Sequence, residues 1–150
     1  MSYPQLRLDQ QLCFPLYATA RAVSRVYGGL LADLGLTYPQ YLVLLALWED
    51  QTPLAIGDLG ARLKLDSGTL SPLVKRLETT GLVVRRRDVE DERRVLVELT
   101  DAGRALEERA AEVPSRLMGV MGLEVSEARE LAGRLGDLLA NLEQALAEQS

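Results

Sequence analysis

A short helix in the middle of the sequence carries the side chains best suited to contact another molecule. Facing away from its apolar stripe are short hydroxyls followed by cations: Ser67, Thr69, Ser71, Lys75, Arg76 and Thr79. Hydroxyl groups hydrogen-bond base edges or phosphates at close approach, whereas lysine and arginine neutralise phosphates and release counterions. This arrangement is typical of a helix that enters the major groove of DNA. An ordinary solvated helix face would carry the same residue types, so the helix alone leaves both interpretations open.

A charged hairpin follows this helix. Residues 82–84 and 95–97 are β-branched-rich runs on either side of a polar stretch, RRRDVEDERR, and the pattern predicts two antiparallel strands. Residues 62–94 contain nine Lys/Arg against six Asp/Glu, a net charge of +3, whereas the remaining residues carry −8. A chain with a formal net charge of −5 has therefore gathered its positive charge in one segment, which indicates a nucleic-acid-binding surface.

The surface helix and the helix before it are predicted to pack against each other. The apolar stripe of the first falls at i, i+3, i+4 and i+7: Leu70, Leu73, Val74 and Leu77. A cap at Asp66 or Ser67 begins this helix and Gly81 ends it. The preceding helix is predicted over residues 54–65, after Thr52-Pro53, and would pack across the first to make a helix-turn-helix.

The order of these elements resembles the winged helix-turn-helix of the MarR family of bacterial regulators. The markers are the helix, Gly-Leu-Val, an arginine-rich strand, Asp91-x-Arg93 and a second strand ending in Leu99-Thr100. The resemblance implies a mainly α fold with a small β-wing, whose arginine, here Arg93, enters the minor groove while Asp91 fixes its orientation. A narrow A·T-rich minor groove concentrates negative potential and attracts a guanidinium. Arg94 would point to the opposite face of a strand, which makes it the weaker candidate.

The predicted DNA-binding residues lie on both the helix and the wing. They are Ser67, Thr69, Ser71, Lys75, Arg76, Arg85, Arg86, Asp91 and Arg93. Phosphate contacts from this set would fix the position of the protein, and base-edge or groove-shape contacts would give sequence preference.

Composition bounds the other function classes. At 150 residues and 47% apolar composition, the chain is most simply a single domain, residues 1–150. It has no histidine and one cysteine, which removes His-based acid–base catalysis and a thiolate zinc cluster, so we expect no metal and no cofactor. There is no apolar run long enough to span a membrane and no signal-peptide pattern, so we expect a cytoplasmic protein that does not bind membranes.

Helix-capping patterns delimit the remaining elements. Residues 9–31 have helical periodicity, but Pro15 requires either a kink or a later start of that helix. Thr37 and Gln40 form a capping box before YLVLLALWE, which is apolar nearly all round and predicts a central core helix. Thr100 is predicted to cap a helix from residue 101 to about 121, interrupted at a proline, residue 114; Ser126 is predicted to cap the last one, to about residue 148.

The terminal regions are predicted to join two copies of the chain. A leucine stripe runs along the last helix: Leu131, Leu135, Leu138, Leu142 and Leu146. Because a domain this small offers little to cover it, we expect residues 9–36 and 101–150 to form a homodimer interface, with residues 53–100 as the DNA-binding head. A two-fold dimer would bind a pseudo-palindromic operator with half-sites about 34 Å apart. The alternative is that the last helix folds back on its own core.

The segments LDQQLCFPLYATAR and YPQYLVLLALWE resemble one branch of the family, the organic hydroperoxide resistance regulators. The resemblance extends over essentially the whole chain, and LCFPLY and DSGTLSP are its distinctive markers. It implies a repressor whose Cys13 is oxidised by organic peroxide. Tyr17 and Tyr27 would bond the Cys13 thiolate in the reduced, DNA-binding state, and oxidation would release the operator. Tyr17 is one helical turn from Cys13, but Tyr27 is fourteen residues on, roughly 21 Å along a straight helix. If both tyrosines bond one thiolate, at least one comes from the partner subunit.

Oxidation of a lone cysteine would give a sulfenic acid with no second cysteine in the chain to resolve it. We therefore expect a low-molecular-weight thiol, or further oxidation, to complete the response. Two alternatives stay open. The protein could instead answer a small aromatic ligand, with Cys13 purely structural, or Cys13 could be the catalytic residue of a thiol peroxidase; a winged helix would have no purpose in such an enzyme, so we expect a regulator and no enzyme.

Overall fold

The computed structural model describes residues 3–150, and it is mainly helical with one small antiparallel sheet. The elements in chain order are α1 (Cys13–Leu30), α2 (Tyr38–Asp50), β1 (Leu54–Ala55), α3 (Ile56–Leu63), α4 (Ser67–Thr79), β2 (Val83–Arg87), β3 (Val95–Leu99), α5 (Asp101–Ala110), α6 (Val113–Met121) and α7 (Val125–Glu148). The predicted fold class, mainly α with a small β-wing, is confirmed. The chain forms two compact units, one ending at Val113 and the other beginning at Pro114.

The core of the first unit is built around α2. Thr37 and Gln40 form the predicted capping box: the Gln40 amide donates to Thr37 Oγ1 at 3.4 Å, and the Thr37 amide donates to Gln40 Oε1 at 3.0 Å. Most of the helix is buried, and its apolar side chains share one cluster with the inner faces of α4 and the sheet. The expectation that YLVLLALWE is the central helix is therefore confirmed.

The start of α1 resolves the question posed by Pro15. Two short 3₁₀ turns, Pro4–Leu6 and Leu8–Gln10, precede the helix, which begins only at Cys13. Pro15 is then the third residue of α1, where a backbone N–H has no intrahelical acceptor to lose. The helix begins later than residue 9.

The region before α4 differs from its prediction. A helix over residues 54–65 was expected, but Leu54–Ala55 forms strand β1 and α3 ends at Leu63. Leu54 pairs with Val97 and Ala55 with Leu96, so β3 lies between β1 and β2 in a three-stranded sheet. The prediction was wrong because pairing with a distant strand overrides the local helical pattern.

Of the two N-caps predicted for the C-terminal helices, one is confirmed and one is wrong. Thr100 caps α5, its Oγ1 accepting from the Gly103 amide at 3.0 Å. The helical stretch predicted from residue 101 to about 121 is interrupted, but at residues 111–112: α5 ends at Ala110, and α6 runs from Val113 to Met121 with the proline in its first turn. Ser126 lies inside α7, because Glu124 is the N-cap and exchanges hydrogen bonds with Glu127.

The second unit holds α7, whose leucine stripe lies open. Four leucines of the predicted stripe, Leu131, Leu135, Leu142 and Leu146, are exposed within the single chain, as is the adjacent Leu139, whereas Leu138 is half-buried. Burying such a stripe requires an apolar surface. None of the helices among residues 3–150 combines the length and apolar character that a membrane crossing needs.

Candidate DNA-binding surface and redox site

Helix α4 is held by its N-cap and by its inner face. Asp66 Oδ1 accepts from the Thr69 amide at 2.8 Å and Asp66 Oδ2 from the Thr69 hydroxyl at 3.1 Å. These hydrogen bonds hold the pKa of Asp66 below its ordinary value. Leu70, Val74 and Leu77 are fully buried. The helix is therefore anchored on one side and capped at the end that carries the predicted hydroxyls.

The opposite face of α4 is open to solvent. Ser67, Thr69, Lys75 and Arg76 are exposed, as predicted, whereas Ser71 is half-buried. The Thr69 hydroxyl already donates to Asp66, so it can only accept from another molecule without breaking that bond. The face thus offers donors and positive charge to a partner, with Ser71 the least accessible member.

The turn between α3 and α4 needs a glycine at position 60. The Leu65 amide donates to the Gly60 carbonyl at 2.9 Å. A Cβ at Gly60 would stand 2.8 Å from the Leu65 carbonyl oxygen, closer than real Cβ contacts. This close approach of two backbones sets how α3 crosses α4.

The wing places Arg93 in solvent and ties it to Asp91. Strands β2 and β3 pair from Val83 with Leu99 to Arg87 with Val95, so residues 88–94 form the tip. The Arg93 side chain is 91% exposed, and its Nε donates to Asp91 Oδ1 at 3.1 Å. This ion pair lowers the pKa of Asp91. The tip therefore presents a guanidinium whose direction is set by its neighbour.

Arg94 differs from Arg93, but not for the predicted reason. Both arginines precede β3, so strand alternation does not separate them. Arg94 instead donates to Asp58 of α3 at 3.1 Å and lies 3.8 Å from a carboxylate oxygen of Asp88. The sequence analysis missed Asp58, since nothing local connects residues 36 positions apart.

The two predicted strand arginines also lie in ion pairs. Arg85 binds Glu78 of α4, with Nη2 and Oε2 2.8 Å apart. Arg86 Nε donates to Glu98 of β3 at 3.3 Å. The structure therefore brings both arginines to the wing surface, but bound to carboxylates of the same chain. The sequence analysis missed Glu78 and Glu98 as their partners.

Cys13 is the first residue of α1 and is exposed. Tyr17, one turn on, is 61% exposed, and its hydroxyl accepts from Arg21 Nη1 at 3.1 Å. The Arg21 guanidinium carbon also lies 5.5 Å from the centre of the Tyr17 ring. Because arginine only donates, the phenol keeps its own proton for a further acceptor. Sequence reasoning missed Arg21, although its i+4 spacing from Tyr17 was a usable signal.

Tyr27 lies near the other end of α1, in an aromatic cluster with Tyr38 and Tyr41 of α2. Its ring stacks on Tyr38 with centroids 4.0 Å apart and lies 5.7 Å from that of Tyr41. Burial, followed by the two neighbouring tyrosines, raises the pKa of Tyr27 to about 12. Cys13 and Tyr27 occupy one continuous helix, which does not bring them together within a subunit.

The site holds no metal-binding arrangement in the part of the chain that the structure describes. No group of three or more His, Cys, Asp or Glu side chains there is placed to coordinate an ion.

Comparison with known proteins identifies the family. Residues 25–109 match the family model of the transcriptional regulators SarA and Rot. An organic hydroperoxide resistance transcriptional regulator of Bacillus subtilis is 44% identical over 142 residues, 95% of this chain and 96% of that protein. The regulator TtmR of Methylorubrum extorquens is 50% identical over 131 residues, 87% of this chain and 67% of that protein.

A solved relative shares the same architecture. Reduced AbfR bound to DNA aligns with a TM-score of 0.77 at 38% identity, covering 92% of this chain and 96% of that one. AbfR comes from Staphylococcus epidermidis and has also been solved overoxidised and bound to DNA, and with a disulfide formed. The chain therefore belongs to the MarR family of winged-helix DNA-binding transcriptional regulators and is similar, within it, to the organic hydroperoxide resistance regulators.

Proposed function

We propose that this regulator is a homodimer that releases its operator when an organic hydroperoxide oxidises Cys13. The observation that carries the proposal is an exposed cysteine at the first residue of α1, one turn before the exposed Tyr17, in the same chain as a winged-helix head. Exposure leaves the Cys13 sulfur accessible to a peroxide. The relatives add support, since one is a hydroperoxide resistance regulator and AbfR has been solved reduced and bound to DNA and also with a disulfide formed.

On the DNA side, α4 would lie in the major groove and Arg93 would enter the adjacent minor groove. The proposed contact residues are Ser67, Thr69, Ser71, Lys75, Arg76, Arg85, Arg86, Asp91 and Arg93. The exposure of Lys75 and Arg76 supports contacts with phosphates. The hydrogen bond from Arg93 to Asp91 supports insertion of a guanidinium that is already oriented before it meets the DNA. The head, about residues 53–100, would then bind one half-site of a pseudo-palindromic operator in double-stranded DNA.

The homodimer is proposed to use the terminal helices, in residues 9–36 and 101–150. The exposed leucines of α7 support this, because so long an apolar stripe is stabilised only when another apolar surface covers it. A dimer would also bring the Tyr27 hydroxyl of one subunit toward Cys13 of the other, which the length of α1 forbids within a subunit. Sensing and subunit packing would then be coupled.

The proposed chemistry needs one equivalent of oxidant. The Cys13 thiolate attacks a peroxide oxygen, the O–O bond breaks, and the alkoxide takes a proton to leave as the alcohol, so sulfur is oxidised to the sulfenic acid. A low-molecular-weight thiol then attacks the sulfenic sulfur to give a mixed disulfide and water, or more peroxide oxidises it further. Either product ends the Tyr–thiolate hydrogen bonds and would shift the two heads away from their half-site spacing.

A gel shift with the protein's own upstream DNA tests the proposal. Wild-type protein should bind the DNA and lose it on treatment with cumene hydroperoxide, whereas Cys13→Ser should bind and stay bound. Sedimentation of the same samples should show a dimer. Peroxide-induced release from Cys13→Ser would show that the protein senses something other than Cys13 oxidation, and steady turnover of hydroperoxide with a thiol reductant would indicate a peroxidase.

A further inference from the structure

Glu78 makes a three-point contact with Arg85. The Arg85 amide donates to Glu78 Oε1 at 3.1 Å, and Arg85 Nε and Nη2 lie 2.9 Å and 2.8 Å from Oε2. Both side chains are about one-third exposed, at 34% each, so the pair is partly shielded from water. One carboxylate thus binds both the backbone and the side chain of a wing residue, and the contact lowers the pKa of Glu78.

The position of Glu78 is otherwise unfavourable for a carboxylate. It lies in the last turn of α4, where the helix dipole disfavours negative charge. It also lies on the helix proposed to enter the major groove, where it would repel phosphates. A local contact must therefore offset both costs, and the Arg85 contact is the one that the structure provides.

The contact joins the recognition helix to the free edge of the wing. The sheet order is β1-β3-β2, so β2 is an edge strand with backbone donors that no further strand pairs. Glu78 occupies one of these donors, the Arg85 amide, two residues after β2 begins. The turn from α4 into β2 is short, and the Leu82 amide donates to the Leu77 carbonyl within it at 3.0 Å. Turn and ion pair together leave the wing little freedom to tilt relative to α4.

We propose that Glu78 is a positioning residue for DNA binding: through Arg85 it holds the wing at the angle to α4 that lets Arg93 reach the minor groove while α4 occupies the major groove. The inference rests on the proposed insertion of Arg93. It assigns Arg85 a role different from the direct DNA contact proposed above, because its guanidinium is bound to Glu78. We call this Glu78–Arg85 contact the clamp.

The direction in which Glu78→Gln changes operator affinity distinguishes positioning from a simple charge effect. Removing a carboxylate near DNA should tighten binding if Glu78 acts only by its charge, and freeing Arg85 would tighten it further. The clamp predicts the opposite, an operator affinity weakened by up to about fivefold, because an oriented wing is lost. Glu90→Gln at the exposed wing tip is the matched control, since it removes the same charge without touching the clamp, and it should bind at least as tightly as wild type.

Two further readouts separate positioning from a loss of folding. In a hydroxyl-radical footprint on the operator, Glu78→Gln should lose minor-groove protection at the wing while protection beside α4 persists. Affinity for non-specific DNA should stay within about twofold of wild type, whereas a smaller folded fraction would lower both affinities equally. A thermal melt of each variant identifies a smaller folded fraction, and a loss of binding explained by it would overturn the proposal.

Arg85→Lys gives an independent check. Lysine keeps a positive charge for a phosphate but cannot make the forked contact with Glu78. The clamp predicts the same loss of wing protection as in Glu78→Gln, whereas a phosphate role predicts near wild-type binding. Arg93→Ala distinguishes an error in the clamp proposal from an error in the proposed function. If Arg93→Ala leaves operator affinity unchanged, the wing contributes nothing to binding. If Arg93→Ala weakens binding but Glu78→Gln and Arg85→Lys do not, Glu78 is not the positioning residue.

Discussion

The ring of Tyr27 lies parallel to that of Tyr38, with centroids 4.0 Å apart and planes within 8° of each other. This stack joins the end of α1 to the start of α2, and α2 is the centre of the core on which α4 packs. The proposed sensing helix is thereby in direct contact with the scaffold of the DNA-binding head. Any displacement of Tyr27 during sensing would have to break the stack or move α2 with it.

The raised pKa of Tyr27 predicts a loss of stability in alkaline solution. Burial holds the phenol protonated to about pH 12 in the folded chain, while the ordinary value of about 10 applies when it unfolds. The folded state then binds the proton more tightly, so the stabilisation is complete below pH 10 and is lost as the pH rises through 12. Urea unfolding at pH 8 and pH 11 should show this decline, and Tyr27→Phe should reduce it. Tyr17→Phe, at an exposed phenol, is the control; an identical pH dependence in both variants would contradict the assignment.

Tyr17→Phe should slow oxidation of Cys13. Arg21 donates to the Tyr17 hydroxyl at 3.1 Å, so the phenol can still donate its own proton to a Cys13 sulfur, either in the same subunit or in the partner subunit. Losing one such hydrogen bond should lower the rate of a single oxidation by cumene hydroperoxide by about tenfold. Stopped-flow loss of the thiol measures this rate. Tyr3→Phe, outside the proposed site, serves as the control, and a Tyr17→Phe rate equal to wild type would remove Tyr17 from the site.

Arg93→Ala and Lys75→Ala should weaken DNA binding in different ways. If Arg93 enters the minor groove, its loss should cost about 1 to 3 kcal/mol of operator binding and relax sequence preference beneath the wing. Lys75 would contact phosphate, so its loss should weaken all sequences similarly and lower the salt slope by about 1. Fluorescence anisotropy at several salt concentrations distinguishes the two. Equal effects on operator and unrelated DNA in Arg93→Ala would argue against insertion.

Gly103→Ala should destabilise the first unit. A Cβ there would stand 2.1 Å from the Leu82 carbonyl oxygen, while the Gly103 carbonyl accepts from Trp48 Nε1 at 2.9 Å in the core. Forcing these backbones apart should cost about 1 to 3 kcal/mol of unfolding free energy. Gly133→Ala in α7, where a Cβ meets nothing within 4 Å, should instead be neutral or stabilising. Chemical denaturation followed by circular dichroism compares the two, and equal stabilities would show that the contact at Gly103 relaxes freely.

The features that sequence analysis predicted correctly are those decided within one turn of chain. The Thr37–Gln40 capping box, the Thr100 cap and the buried stripe of α4 all depend on neighbouring residues. Strand β1 was missed because it exists only through pairing with β3, more than forty residues away along the sequence. The partner of Arg94 was missed for the same reason, since Asp58 lies 36 residues away. Glu78 and Arg85 are only seven residues apart, but they meet only because the chain turns between α4 and β2.

The most direct test of the central claim follows DNA release and Cys13 oxidation in one sample. Reduced protein bound to labelled operator is titrated with less than one, then about one, equivalent of cumene hydroperoxide per subunit, with anisotropy and intact-protein mass recorded at each step. The account predicts that the fraction of DNA released rises with the fraction of subunits carrying oxygen or a thiol adduct at Cys13, and that Cys13→Ser shows neither change. Full operator binding by protein whose Cys13 is completely oxidised would contradict it.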